Sequence, residues 1–155
     1  MQIEIYLPVS APIKKFLVAK FGGEYQTNNR DWLGMQILSL LERKSSYEPP
    51  VKSTKNDKFS EVYKIRLSVS HMDKHGIILT PYREDLLRRF IESVFRDACF
   101  DFALMSKKLY NMDYKNSIRN FMNFYGIDDV ENSYFEALTR DFNRKRITKE
   151  QNKTC

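Results

Sequence analysis

Thr-Pro-Tyr-Arg-Glu-Asp-Leu-Leu-Arg-Arg-Phe-Ile-Glu-Ser-Val-Phe-Arg-Asp-Ala-Cys-Phe-Asp-Phe-Ala-Leu-Met-Ser-Lys-Lys-Leu-Tyr, residues 80–110, is the stretch on which the fold turns. Thr80 is a residue type that caps free amides, Pro81 is preset for the first helical position, and Glu84 and Asp85 favour the positive end of a helix. Leu86, Leu87, Phe90, Ile91, Val94, Phe95, Ala98, Phe102, Met105 and Leu109 then keep one apolar stripe to about Tyr110. Glu84 with Arg88, Asp85 with Arg89 and Glu92 with Arg96 stand four apart, the spacing of helix-stabilising ion pairs. The reading is one long helix around which the rest of the chain must arrange its own apolar surface.

Downstream, Asp113 is placed to cap a helix bearing Ile118, Phe121, Met122 and Tyr125, with Gly126 ending it in a left-handed turn. Ser133 and Glu136 have the spacing of a capping box, and Phe135, Leu138 and Phe142 mark the inner face of a last helix. Beyond Ile147 the chain is polar and is predicted to fray.

Upstream, Ile3, Ile5 and Leu7 alternate with polar neighbours as in a half-buried strand. Ser10 with Pro12 starts a helix carrying Ile13, Phe16, Leu17 and Phe21, which Gly22-Gly23 stops. Asn29 is read as the cap of a second helix, in which Leu33, Ile37, Leu40, Leu41 and Lys44 recur at three- and four-residue spacing and Trp32 and Met35 widen the apolar side. Residues 45–60 are polar, interrupted by Pro49-Pro50, and read as a mobile loop. Tyr63, Ile65, Leu67 and Val69 alternate cleanly as a strand, and a hairpin through His71 to Gly76 would return the chain as Ile77-Ile78-Leu79.

The expected fold is therefore α+β and mainly helical: about five helices and a small antiparallel sheet of two or three strands in the N-terminal half. It reads as one domain over residues 1–155, with an α+β half at 1–80, a helical half at 81–147 and a flexible tail at 148–155. No internal repeat or low-complexity tract appears.

The 26 Lys and Arg outnumber 20 Asp and Glu, a net charge of +6, which favours an anionic partner. The N-terminus lacks a basic stretch followed by an apolar one, and no run approaches the roughly 18 apolar residues that cross a bilayer. No membrane partner is expected, and the cytoplasm is the expected compartment. Only five glycines are present, without a phosphate-cradling GxGxxG or GxxxxGK[ST] pattern, and no carboxylate pair stands out as acid and base. Cys99 lies in an apolar helical pattern without a neighbouring base, and Cys155 is the last residue, so neither a nucleophile nor a disulfide is expected. His71, Asp73 and His75 would offer metal ligands only on a helix. The sequence thus assigns no catalytic residue, metal or cofactor, and reads as a non-enzyme.

What remains is charge. From residue 138 to 155 six Lys and Arg face two acids, and Arg140, Asn143, Arg144, Lys145 and Arg146 crowd the last helix. Arg and Asn donate to phosphates and base edges, so residues 115–146 invite a helix-turn-helix reading. The turn is longer than the usual three or four residues, however, and the cations sit at the wrong end for groove insertion. A plain αα-hairpin with solvated charges is the alternative. A second basic region, Lys52, Lys55, Lys58, Lys64 and Arg66, is interleaved with Tyr47, Phe59 and Tyr63 and would suit a wing on DNA.

The segment Ser-Ile-Arg-Asn-Phe-Met-Asn-Phe-Tyr-Gly-Ile at 117–127, with the high Lys, Asn, Tyr and Phe usage, resembles small basic proteins of bacterial prophages and integrative elements. That resemblance implies a DNA-binding accessory or regulatory role and supplies no catalytic residues. The competing expectation is an assembly module, in which surplus aromatics of the long helix such as Phe95, Phe100 and Phe102 bury against a partner or a second copy of the chain.

Overall fold

The computed structural model describes residues 2–43, 59–129 and 132–153. The chain is α+β and mainly helical, and it divides into two compact units, residues 1–92 and 93–155. The boundary between these units falls inside the long helix at 81–110. The loop expected at 45–60 lies almost wholly outside the described residues.

In the first unit, β1 (Gln2–Val9) pairs antiparallel with β3 (Glu61–Ser68), from Gln2 opposite Ser68 to Val9 opposite Glu61. The third strand is β2 (Glu24–Gln26), parallel to β3, giving the order β1-β3-β2 and a mixed rather than antiparallel sheet. Three residues are too few for alternation to announce a strand; Tyr25, buried between exposed Glu24 and Gln26, is the single inward position.

The expected hairpin does not form. The alternation of β3 stops at Ser68, whose hydroxyl accepts from the His71 amide at 3.4 Å and starts the short helix α3 (Val69–His75). Ile78 makes only an isolated bridge to Glu42. Gly76 ends α3 at φ 93°, where an added Cβ would also run into the Glu42 carbonyl.

Helix α1 (Ala11–Phe21) and helix α2 (Trp32–Leu40) supply Ile13, Phe16, Leu17, Leu33 and Ile37 to a core with Leu7, Tyr63, Ile65 and Leu67 from the sheet. Fully burying each such side chain contributes about 1.5–3 kcal/mol. Trp32 meets Phe16, Phe21 and Phe90 at ring centroid distances of 6.4, 5.4 and 6.0 Å.

Asp31, not Asn29, caps α2. Its Oδ1 accepts from the Gly34 amide at 2.8 Å and from the Tyr25 hydroxyl, while the Asn28 side chain donates to Oδ2 at 2.9 Å. Asn28 is itself turned inward by accepting from the Arg30 amide at 2.8 Å.

The second unit holds the C-terminal part of α4 (Pro81–Tyr110) with α5 (Tyr114–Phe124) and α6 (Ser133–Lys153). Thr80 starts α4 as expected, its hydroxyl accepting from the Arg83 amide at 3.3 Å. Asp113 likewise caps α5, accepting from the Asn116 amide at 2.7 Å. The capping box at Ser133 is not formed. Asn132 adopts φ 56°, Ser133 already lies in the helix, and Asp129 reaches past it to take the Phe135 amide at 2.8 Å. Phe95 packs against Phe121, Tyr125 and Tyr134, and Phe142 against Phe100 and Tyr114, closing this core. α6 runs on through Lys153.

The Asp31 cap makes two substitutions informative. Helix propensity favours Gly34→Ala by about 1 kcal/mol. The new Cβ, however, would overlap the Asn28 carbonyl oxygen and stand 2.7 Å from the Tyr25 hydroxyl. The overlap decides the sign, and urea unfolding is expected to show a destabilisation of about 1–3 kcal/mol. For the cap itself, burial pushes the Asp31 carboxyl up, but the bonds from Tyr25, Gly34 and Asn28 outweigh it and hold it below its ordinary value. Its stabilisation is complete above the unfolded-state pKa and disappears as pH falls through the lower folded-state pKa. Asp31→Ala is expected to cost about 1 kcal/mol at neutral pH. In an acid series of urea unfolding curves that gap should narrow only below the ordinary carboxylate range; a gap constant with pH would contradict it.

Candidate nucleic-acid interface

The amphipathic pattern of α5 fixes what it shows to solvent. Ile118, Phe121 and Met122 are buried, so Lys115 and Arg119, four residues apart, share the exposed side. Gly126, at φ 65°, allows the turn toward α6, and the Ile127 amide donates to the Met122 carbonyl at 3.0 Å. On α6 the buried Phe135, Leu138 and Phe142 leave Arg140 and Arg144 on the opposite side.

Between the two helices lies a cleft of about 420 Å³, lined by Lys115, Arg119, Asn132, Phe135, Glu136, Thr139 and Arg140. Three cations and one carboxylate give the lining a net charge of +2 (three minus one). The Arg119 guanidinium lies over the Phe135 ring at 4.0 Å, which holds the group against the cleft wall and leaves its N–H edge for a ligand. Among the described residues none of Lys115, Arg119 and Arg140 forms an ion pair, although Glu136 lies one turn from Arg140. The lining can therefore offer charged donors, with the Asn132 amide and Thr139 hydroxyl beside them, to an anion.

The basic run expected to form the interface is not gathered. Successive helix residues point about 100° apart, so Arg144, Lys145 and Arg146 cannot share a face. Lys145 is bound to Asp97 at 2.8 Å and Asp141 at 3.2 Å. Burial alone would lower the pKa of its ammonium, but the two carboxylates outweigh that and raise it. Arg146 lies over the Tyr114 ring at 5.3 Å, with its Nε buried. Asn143 and Arg144 are exposed, and only Arg140 of the five enters the cleft.

The wing is also altered. Lys64 binds Glu4 at 2.9 Å and Glu24 at 3.5 Å, and Arg66 binds Glu24 at 2.8 Å, so the two cations are matched across the sheet by two acids. Tyr63 is fully buried, its hydroxyl donating to the Gly22 carbonyl at 2.8 Å, and Phe59 sits under Arg88 at 4.6 Å. Neither ring is free to stack a base. Tyr47, Lys52, Lys55 and Lys58 lie outside the described residues.

Helix α3 does place His71 and His75 one turn apart, yet among the described residues no three His, Cys, Asp or Glu side chains converge to hold a metal. Cys99 is 2% exposed, and burial pushes its thiol up to about 12, which leaves almost no thiolate at neutral pH. No helix among the described residues is long and apolar enough to cross a membrane. No protein-family model, curated protein or solved structure matches the chain.

Lys115 and Arg119 are cleft residues that the charge pattern of the sequence did not single out. Their four-residue spacing on the polar side of a helix was readable, but their meeting with Arg140 depends on how α5 and α6 pack. Lys145, by contrast, is committed within the fold. Lys145→Ala is expected to lower stability by up to about 1 kcal/mol in urea unfolding, with no change in affinity for a polyanion such as heparin. A large fall in retention on a heparin column would return Lys145 to the interface.

Proposed function

We propose that the chain is a non-enzymatic accessory protein that binds nucleic-acid phosphates in the cleft between α5 and α6. One observation carries this reading: Lys115, Arg119 and Arg140 line it with none of them in an ion pair among the described residues, whereas Lys64, Arg66 and Lys145, which the sequence also put forward, are matched by acids. Unpaired cations in a concave site retain their attraction for a phosphate, and binding there releases condensed counterions. A paired cation must first give up its carboxylate. Phe135 is 8% exposed and covered by Arg119, so binding to the phosphate backbone rather than base stacking is the mode the lining suits. We read the partner as DNA met in the cytoplasm, in keeping with the likeness of residues 117–127 to proteins of integrative elements.

A titration of labelled duplex DNA at two salt concentrations tests this. Lys115→Glu together with Arg140→Glu is expected to weaken binding and to lower the slope of log affinity against log salt by roughly 0.9 for each phosphate no longer neutralised. Arg119→Gln weakens binding further, and Lys145→Ala does not. Absence of binding by the unaltered chain at low salt, or indifference to the cleft substitutions, ends the reading.

A further inference from the structure

The apolar stripe of α4 outlasts the core that covers it. Phe95 is fully buried, but further along the same side Phe102, Met105 and Leu109 are 38, 59 and 64% exposed. With the half-buried Ala98 they follow the four-three-four spacing of a helix-pairing seam. Phe102 touches Phe121 of α5 at 5.9 Å, and Phe124, one turn beyond Phe121, is 79% exposed, so the apolar surface continues from one helix onto the next. Apart from that contact, packing within the second unit leaves most of Met105, Leu109 and Phe124 in water.

The charges beside the seam indicate what covers it. On one flank Cys99 and Ser106 are buried in the unit's own core at 2 and 6% exposure, so that flank is closed to a partner. The other flank carries Asp101 and Lys108, both exposed and neither in an ion pair among the described residues. A parallel partner helix would need both flanks, because its charge pairs join unlike sides. A two-fold axis across the helices instead sets the open flank against the same flank of another copy. Asp101 then lies opposite Lys108 of the second copy, and Lys108 opposite its Asp101. A single acid and a single base, seven residues apart, become two complementary pairs in that arrangement.

We propose that the C-terminal part of α4 is a self-association surface, on which a second copy of this chain docks antiparallel through Phe102, Met105 and Leu109, with Asp101 and Lys108 fixing the register. The interface is small and suits a concentration-dependent dimer rather than an obligate one. It is separate from the cleft and does not rest on the phosphate reading.

Sedimentation equilibrium over roughly 10 µM to 1 mM tests it. The weight-average mass of the unaltered chain is expected to climb from 18.5 kDa toward twice that value. Met105→Glu, at a position already exposed, should keep its circular dichroism and stay at the one-chain mass throughout. Asp101→Lys or Lys108→Glu alone places like charges opposite each other twice and is expected to weaken association about tenfold, whereas the two together restore it. A chain that is monomeric across the whole range, its seam left to another protein or to water, overturns the proposal. So does a dimer indifferent to Met105→Glu, or one in which the double exchange fails to recover the association that the single changes weaken.

Discussion

An apolar stripe on a helix of thirty residues must be covered, and α4 imposes that requirement on both compact units of this chain. In the first, Leu87 and Ile91 are removed from water together with the inner face of the sheet and the apolar sides of α1 and α2. In the second, Phe95, Cys99 and Ala103 are buried with α5 and α6. Each large side chain withdrawn from water contributes on the order of 2 kcal/mol, so a helix carrying several of them organises whatever can reach it. Toward Tyr110 the covering gives out before the stripe does, and the proposed self-association surface lies there.

Electrostatics in this molecule is governed by helix geometry more than by net charge. Ion pairs form where spacing and packing bring opposite charges together: Arg89 with Asp85 at 2.7 Å along α4, Lys145 with Asp97 at 2.8 Å between helices, and the four-membered ladder of Glu4, Lys64, Glu24 and Arg66 across the sheet. Exposed pairs of this kind contribute little stability individually. Their larger effect is to withdraw cations from the pool available to a partner. An excess of six positive charges therefore says that an anion is attracted, while the pairing pattern decides where it is held.

The cleft between α5 and α6 also shows why the capping at the start of α6 matters. The Asp129 carboxylate and the left-handed Asn132 fix where the helix begins, and that start point sets which residues turn toward α5. With Phe135 inward, Glu136, Thr139 and Arg140 follow along the cleft side. A start displaced by one residue would rotate all of them by about 100°.

Periodicity and capping chemistry were sufficient to read from the sequence the long helix at 81–110, the Thr80 and Asp113 caps, the strands containing Ile5 and Ile65, and the α+β class, because each is set by neighbours within one or two turns. Three features were not readable in this way. The strand at Tyr25 exists only because β3 offers it an edge, α3 replaced a hairpin because one serine hydroxyl competed successfully with strand pairing, and Asp31 displaced Asn29 because Tyr25 and Asn28 converge on its carboxylate. The same division holds for the site. Composition determined that this protein is basic, but which cations lie free beside one another was decided by the tertiary structure, since an ion pair or a cleft joins residues whose separation along the chain carries no information about their separation in space.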